Sequence, residues 1–467
     1  MDCSVQEGIH EECGVFAAFG VEDAVHAAYL ALQDLQHRGQ QGCGVAVTGP
    51  DGRIRLHKGP GLVREVFSRE VLDGMAGSSC IGHVRYPTTD VGGRENIQPF
   101  RMSDGKGGFA VAHNGNLVNA EEIRFRLEEE DHLLHSTSDS ELIGHLIGRC
   151  HIPGDRFPDI LAAAQLLDGA FCAVVLTPDA IYAFRDKHGF HPLSVGRLGE
   201  GYIVSSETCV FRETGARFLR DIEPGELLRI DRSGLLSSRF AREAEPRTCA
   251  MESIYFARPD SVIGGQSAYA FRKKTGHLLW HEHPVEADLV TAVPESGYPA
   301  ALGYAEASGI PYEMGLLKNL YVARTFIQPA QHMRDLGVRM KLSPMERVIG
   351  GKRVIVVDDS IVRGTTSRRI VSLLRDAGAA EVHLAIASPP YAFPCYYGID
   401  TGTRDQLIAA RLSVEEIRRF IGADSLHYLS RQALDAASGG QGLCTACFDG
   451  DYPTDLYGHL QDIEKTY

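Results

Sequence analysis

Two adjacent carboxylates, Asp358 and Asp359, stand at the end of a β-branched apolar run, Val354 to Val357. A loop of hydroxyls around one glycine follows: Ser360, Gly364, Thr365, Thr366 and Ser367, with Arg363 among them. The run predicts a strand buried on both faces of a parallel sheet, and ligands of open α/β sheets bind at the C-terminal ends of such strands. The next segment has helical spacing from Arg368 to Arg375. Backbone N–H groups and hydroxyls at a helix start cradle a phosphate, while the paired acids suit sugar hydroxyls or a hard divalent cation. Taken singly, Asp-Asp or Ser-Thr is an ordinary capped turn. The whole string after an apolar run reads as a phosphosugar site.

A second chemistry begins at Cys13, which follows two glutamates and opens an apolar, strand-like run to Phe19. It could be one more buried small residue. If the chain is cut between Glu12 and Cys13, however, one residue carries both a thiol nucleophile and an α-amine. The amine's reference pKa of roughly 7.7 to 8.0 suits a base near neutral pH. Further along, Arg85 closes a predicted strand, Asn114 and Gly115 read as a turn after another, and Asp139 starts a helix. Each is bland alone, Asn-Gly as a turn dipeptide and Asp as a helix cap. Together they supply what a glutamine amidase needs: a guanidinium for the α-carboxylate, a carboxylate for the α-ammonium, and an Asn side chain with a glycine N–H for an oxyanion.

The elements that must position these groups are legible in outline. Apolar residues at 25, 28, 29, 32 and 35 predict a helix over Ala24 to His37, followed by the loop HRGQQGCG. Residues 160 to 230 alternate short apolar runs with Gly, Pro and Asp turns, as antiparallel strands do. The polar stretch SSRFAREAEPRT reads as a linker. Beyond it lie a helix over Ala268 to His281, a strand ending in the loop Pro294 to Gly297, and a polar, basic segment from Leu320 to Pro344 of the length of a lid. Cys249, Cys395, Cys444 and Cys447 form the last constellation, of which only the Cys444-x-x-Cys447 pair is local. Four thiolates suit a [4Fe–4S] cluster or Zn²⁺ equally on softness grounds.

The string VVDDSIVRGTTSRR resembles the phosphoribosyl diphosphate (PRPP) signature of the type I phosphoribosyltransferases, in the wording of the amidophosphoribosyltransferases. The set Cys13, Arg85, Asn114, Gly115 and Asp139 resembles, in order and spacing, the N-terminal-nucleophile glutamine amidotransferase domain. These resemblances imply an α+β sandwich (αββα) over 13–235, preceded by a propeptide at 1–12, and an α/β type I phosphoribosyltransferase domain over 250–467. They imply Cys13 as nucleophile, Arg85 and Asp139 as glutamine clamps, and Asn114 and Gly115 as the oxyanion hole. Glu295, Ser296 and Gly297 become the pyrophosphate loop, and Ser296 a Mg²⁺ ligand with Asp358 and Asp359. Arg324 and Lys341 would meet the diphosphate from the lid, and Arg363 with the neighbouring hydroxyls would complete the PRPP site. The contexts of the four cysteines resemble the iron–sulfur branch of that family, which implies one [4Fe–4S] cluster pinning the C-terminal tail. Implied too are glutamine and PRPP as substrates, 5-phosphoribosylamine, glutamate and diphosphate as products, the first step of purine synthesis, purine nucleotides as feedback inhibitors, and a homotetramer.

The chain departs from the family's wording at several points. Glu295 replaces an aspartate, Gln41 and Cys43 replace an acidic and a small residue, and Leu320 and Ala323 stand where an arginine and a glycine are usual. The last two are compatible with a housekeeping enzyme or with a catalytic paralogue serving a specialised pathway.

Bulk properties agree with a multidomain globular enzyme. The chain has 467 residues, 44% hydrophobic and 23% charged, with net charge −14. No basic run interleaved with aromatics suggests a nucleic-acid surface. No apolar run approaches the roughly 18 residues of a spanning helix, and the acidic first twelve residues do not form a secretory signal. A cytoplasmic location is expected. Eleven scattered cysteines fit free thiols and metal ligands in a reducing compartment.

Overall fold

The computed structural model describes residues 13–86, 93–149, 155–241, 244–319, 342–401 and 403–457. The expected propeptide, and Leu320, Ala323, Arg324 and Lys341 of the expected lid, lie outside the described residues.

Two antiparallel sheets pack face to face in the N-terminal half. The first runs Arg217–Asp221, Ser194–Leu198, Gly201–Ser205, Gly14–Phe19, Ser79–Arg85, Gly42–Thr48, Ile54–Pro60. The second runs Gly234–Arg239, Glu226–Asp231, Ile181–Arg185, Gly169–Leu176, Gly107–Leu117, Phe100–Asp104. Strand alternation divides the side chains between two cores. Val15 and Ala17 meet Ala110, Ala112 and Val174 between the sheets, while Phe16 and Ala18 turn outward to the helix Ala24–Asp34. On the far side, Val111, Phe171 and Ala173 are covered by the helices Ala120–Glu129, Asp139–Arg149 and Phe157–Ala164. This is the expected αββα sandwich, and covering both faces explains why strands such as Gly14–Phe19 and Gly169–Leu176 are buried throughout.

The C-terminal half is built on a parallel sheet ordered Leu289–Ala292, Arg353–Asp358, Glu381–Ile386, Ser425–Tyr428. Ile355 and Val357 face the helices Ala268–Glu282, Tyr298–Ser308 and Arg431–Ser438. Val354 and Val356 face Thr365–Asp376 and Val414–Ile421. The β-branched run is thus the two-sided strand that its composition predicts.

Three local expectations change. Asn114 and Gly115 do not form a turn: the strand Gly107–Leu117 runs through both, paired with Cys172 and Phe171. Gly115 passes at φ +130°, where a Cβ would stand 2.1 Å from the Ala170 carbonyl oxygen, so only glycine lets the strand continue. Thr365, Thr366 and Ser367 belong to the first helical turn instead of the loop, because Gly364, at φ +76°, turns the chain one residue earlier. The first three linker residues belong to the closing strand Gly234–Arg239.

Candidate functional site

Cys13 immediately precedes Gly14–Phe19, a strand held between Ser79–Arg85 and Gly201–Ser205. The Val15 N–H donates to Ser206 Oγ at 3.0 Å and the Val15 carbonyl accepts from Ser206 N–H at 3.1 Å, so the start of the strand is tied down on that side. The Cys13 thiol donates to the Tyr86 carbonyl at 3.4 Å and accepts from the Tyr86 N–H at the same distance. Arg85, at the end of its strand and only 9% exposed, lies beside it. A Cβ on Gly39 would stand 2.6 Å from the Arg85 backbone, so glycine is what lets the loop after the first helix close over this site.

The second sheet supplies the other groups. His83 Nε2 meets the His113 carbonyl at 3.1 Å across the sandwich, and Asn114 follows directly. Asn114 is 1% exposed and its side-chain amide nitrogen has no protein acceptor. A buried donor without a partner is costly, and it is the kind of group that a developing oxyanion would satisfy. Asp139 opens its helix and accepts the Leu117 N–H at 3.1 Å. Burial pushes its carboxyl up, but His113, 3.5 Å away, and the backbone donors outweigh that and hold it below the usual range. It therefore stays a carboxylate, as binding an ammonium requires.

Burial pushes the Cys13 thiol up to about 11, against the Tyr86 hydrogen bond and the nearby Arg85 and Arg38. The thiolate is the reactive form, so the full-length chain carries a nearly unreactive Cys13 at neutral pH. Iodoacetamide labelling of unprocessed protein, followed by peptide mass spectrometry, should show a Cys13 rate climbing about tenfold per pH unit towards that pKa. A rate already flat above pH 8 would mean that the thiol is activated before any cleavage.

In the C-terminal half, Asp358 and Asp359 are 9% and 7% exposed at the end of their strand. Burial and repulsion from Asp359 push Asp358 well above the usual carboxylate range. Burial also raises Asp359, opposed by the hydroxyls of Ser296 and Ser360 and by Arg272. Ser360 Oγ donates to Asp359 at 2.6 Å. Ser296, more than sixty residues away in sequence, is thus brought onto Asp359. Its loop is fixed by the Val293 N–H donating to the Val357 carbonyl at 2.9 Å. Gly297 caps the helix Tyr298–Ser308 where a Cβ would stand 2.6 Å from the Val357 carbonyl oxygen. Exposed Glu295 pairs with Lys318 at 2.9 Å. Arg363 Nη2 donates to Gln406 at 2.9 Å. Exposed Thr365 and Thr366 and buried Ser367 form the helix's first turn, whose N–H groups and dipole suit a phosphate.

The four cysteines also meet. Cys249 pairs in parallel with Cys444, the Ala392 and Phe393 N–H groups both donate to the Cys447 carbonyl at 3.0 Å, and the Tyr397 N–H donates to Cys395 Sγ at 3.3 Å. All four line one small pocket, together with Phe190, His191, Tyr397, Ile399 and Ala446. Among the described residues no three His, Cys, Asp or Glu side chains converge on a single-ion position. Burial pushes Cys444 up to about 12 and Cys447 well above the usual thiol range.

Sequence reasoning missed Arg38, His191, Glu207 and Glu252, all at most 1% exposed and joined in one network. Arg38 stands in the loop HRGQQGCG, but its carboxylate partners are more than 160 residues away and no local pattern marks them.

A sandwich with a cysteine at the head of its central strand, joined to a parallel sheet with an acidic pair ahead of a helix start, has the parts of a two-site protein, one site built around a thiol and one suited to a phosphorylated ligand. Family models for a glutamine amidotransferase domain, over residues 83–213, and a phosphoribosyl transferase domain, over 305–389, match the two halves. Amidophosphoribosyltransferase of Bacillus subtilis is 50% identical over 97% of this chain and 96% of its own length, and that of Synechococcus elongatus is 49% identical over 95% and 91%. The solved glutamine PRPP amidotransferase of B. subtilis, complexed with ADP and GMP, superposes with a TM-score of 0.91 at 49% identity over 96% of this chain and 98% of that one. The chain belongs to the amidophosphoribosyltransferase family. No described helix is long and apolar enough to cross a membrane.

Proposed function

We propose that this protein converts glutamine, PRPP and water into 5-phosphoribosylamine, glutamate and diphosphate, the first step of purine synthesis. The observation that carries this reading is the presence, in one chain aligned with its relatives almost end to end, of both a tethered, partly buried thiol and a buried acid pair ahead of a helix start suited to phosphate. Removal of residues 1–12 frees the Cys13 α-amine, which takes the thiol proton as sulfur attacks the glutamine carboxamide. Arg85 and Asp139 hold the substrate's α-carboxylate and α-ammonium, and Asn114 Nδ2 with the Gly115 N–H receives the oxyanion. Ammonia leaves, and water releases glutamate from the thioester. Keeping the ammonia inside the protein preserves it as a nucleophile, since in water near neutral pH it is mostly ammonium.

At the second site, Ser296, Asp358 and Asp359 would fit a Mg²⁺ ion: a buried acid pair with a hydroxyl bonded to one of its members is a hard-cation donor set. When bound, the ion would neutralise charge on the departing diphosphate. Glu295 and Gly297, the segment Ser360 to Ser367 with Arg363, and Arg324 and Lys341 of the lid complete the PRPP site. Ammonia attacks C1 of the ribose and diphosphate leaves. An anaerobic assay of the purified protein that measures glutamate and diphosphate together tests the reading. With both substrates present, equal release is expected, glutamate rising above its basal rate when PRPP is added, and glutamate release with no PRPP consumption would refute it.

The four cysteines would hold a [4Fe–4S] cluster, the reading supported by the likeness of their contexts to the iron–sulfur branch of the family, since on softness grounds four thiolates suit zinc equally. The cluster's part is to pin the tail through Cys444 and Cys447. Anaerobically purified protein should be brown, with iron and acid-labile sulfide at about four each per chain, and Cys395→Ser should yield little soluble protein. Stoichiometric zinc in place of iron would reject the cluster. The domains are placed at 13–235 and 250–467, with the closing strand to Arg239 favouring a first boundary a few residues later. Purine nucleotide inhibition, a homotetramer and a cytoplasmic location complete the proposal.

A further inference from the structure

Arg38 is a fully buried cation held on three sides. Its Nε donates to the Cys13 carbonyl at 3.1 Å, Nη1 to Glu207 at 2.7 Å and to Glu252 at 2.9 Å, and Nη2 to Glu252 at 2.5 Å. The two carboxylates belong to different halves of the molecule. Glu207 follows the strand Gly201–Ser205, next to that of Cys13, and also accepts from His37 at 2.7 Å and from Ser261 at 2.7 Å. Burial opposes its ionisation, but His37 and Arg38 outweigh it and hold Glu207 well below the usual carboxylate range. Glu252 begins the π-helix Glu252–Phe256, three residues after Cys249. It also meets His191 Nδ1 at 3.3 Å, and His191 Nε2 donates to the Tyr397 carbonyl at 2.8 Å, two residues beyond Cys395. On the same side, Asn116 Nδ2 donates to the Tyr396 carbonyl at 3.0 Å, and a Cβ on Gly398 would stand 3.5 Å from Gly115 Cα.

Two cysteine-bearing segments of the transferase half therefore reach the amidase site, that of Cys249 through Glu252 and Arg38 to Cys13, that of Cys395 directly onto Gly115 and Asn116. We propose that Arg38 is a positioning residue for the nucleophile, and that Glu252 is the group through which the transferase half sets that position. The proposal rests on Cys13 being the nucleophile of a two-site enzyme. Stability alone does not account for the cluster, because a buried ion pair roughly breaks even against apolar packing of the same volume. A guanidinium fork bonded on every side has discrete arrangements only. A displacement of Glu252 either opens a buried ion pair or moves the Cys13 carbonyl, and with it the Cα that carries both thiol and amine. The Cys13 carbonyl takes the Nε donor, which a lysine lacks.

Processed protein with both halves present, carrying Glu252→Gln or Arg38→Lys, tests this, with kcat and KM for glutamine hydrolysis measured with and without PRPP. Ammonia-dependent diphosphate release reports that the transferase half is intact. Glu252→Gln keeps the shape of the side chain and should lower the ratio of PRPP-stimulated to basal hydrolysis at least about fivefold, with KM for glutamine and the ammonia reaction within about twofold of wild type. Arg38→Lys should lower kcat at least about tenfold in both conditions at unchanged KM, the mark of misplacement without lost binding. His191→Asn cuts the link from Glu252 to Tyr397 and should reproduce the loss of ratio, so it carries the test if Glu252→Gln is insoluble. A wild-type ratio in both Glu252→Gln and His191→Asn, or a parallel fall of glutamine and ammonia reactions, would leave only a structural staple and overturn the proposal. Wild-type protein that hydrolyses no glutamine would instead overturn the functional reading beneath it.

Discussion

Asparagine at both Asp358 and Asp359 is expected to lower PRPP turnover by at least about a hundredfold while leaving the protein folded. The two side chains keep their volume, and the change removes a buried pair in which burial raises both carboxyls and repulsion from Asp359 adds to the rise of Asp358, so folding loses nothing by it. What is lost is a cation's ligands and charge-assisted hydrogen bonds worth roughly 1.5 to 3 kcal/mol each. Two of them exceed the roughly 2.7 kcal/mol that a hundredfold change in rate represents. Glutamine hydrolysis draws on Cys13, Arg85, Asn114 and Asp139 in the other half, so it should continue at its basal rate but no longer rise when PRPP is added. Diphosphate and glutamate measured side by side on the double variant give both readings. Normal PRPP turnover would mean that the acid pair is not the phosphosugar site.

Cys13→Ala should have the opposite effect, cutting glutamine use by roughly four orders of magnitude or more, the scale of removing a catalytic nucleophile. Phosphoribosylamine formation from high concentrations of ammonia should persist, because that reaction needs only the site at Asp358 and Asp359. The same variant tests processing. Intact mass of the wild type should show residues 1–12 removed, and Cys13→Ala should retain them, since the thiol that would cleave the Glu12–Cys13 bond is gone. An active protein that keeps Met1, or a folded Cys13→Ala unable to use ammonia, would break the two-site assignment. Against the full-length chain, whose thiol burial pushes up to about 11, the processed enzyme gains an α-amine close to working pH. Cleavage therefore creates the base as well as the terminus.

Much of this was readable along the chain because it is local. A β-branched run followed by acids, hydroxyls and glycine is one strand, one loop and one helix start, and its chemistry is complete within sixteen residues from Val354 to Arg369. The outline of the sandwich was legible for the same reason, since alternating runs and turns are short-range patterns. Where the outline slipped, the cause was a glycine conformation. Asn-Gly reads as a turn, yet Gly115 at φ +130° keeps the strand going past the Ala170 carbonyl, and Gly364 starts its helix earlier than side-chain spacing suggests.

By itself, then, the sequence determined two chemistries, the order of the residues that carry them, and the elements on which those residues sit. Only the tertiary structure decided what stands between them. Arg38 reads as one basic residue in a polar loop, and Glu252 as one acid just beyond the linker. Their joint burial between two halves of the chain follows from pairing across 214 residues. Neither periodicity nor spacing carries such pairing, because a buried charge is permitted only by the partner that neutralises it. The four cysteines make the same point. Two of them are local, but the pocket they share exists because Thr248–Cys249 pairs with Leu443–Cys444 and the 392–397 loop folds onto Cys447.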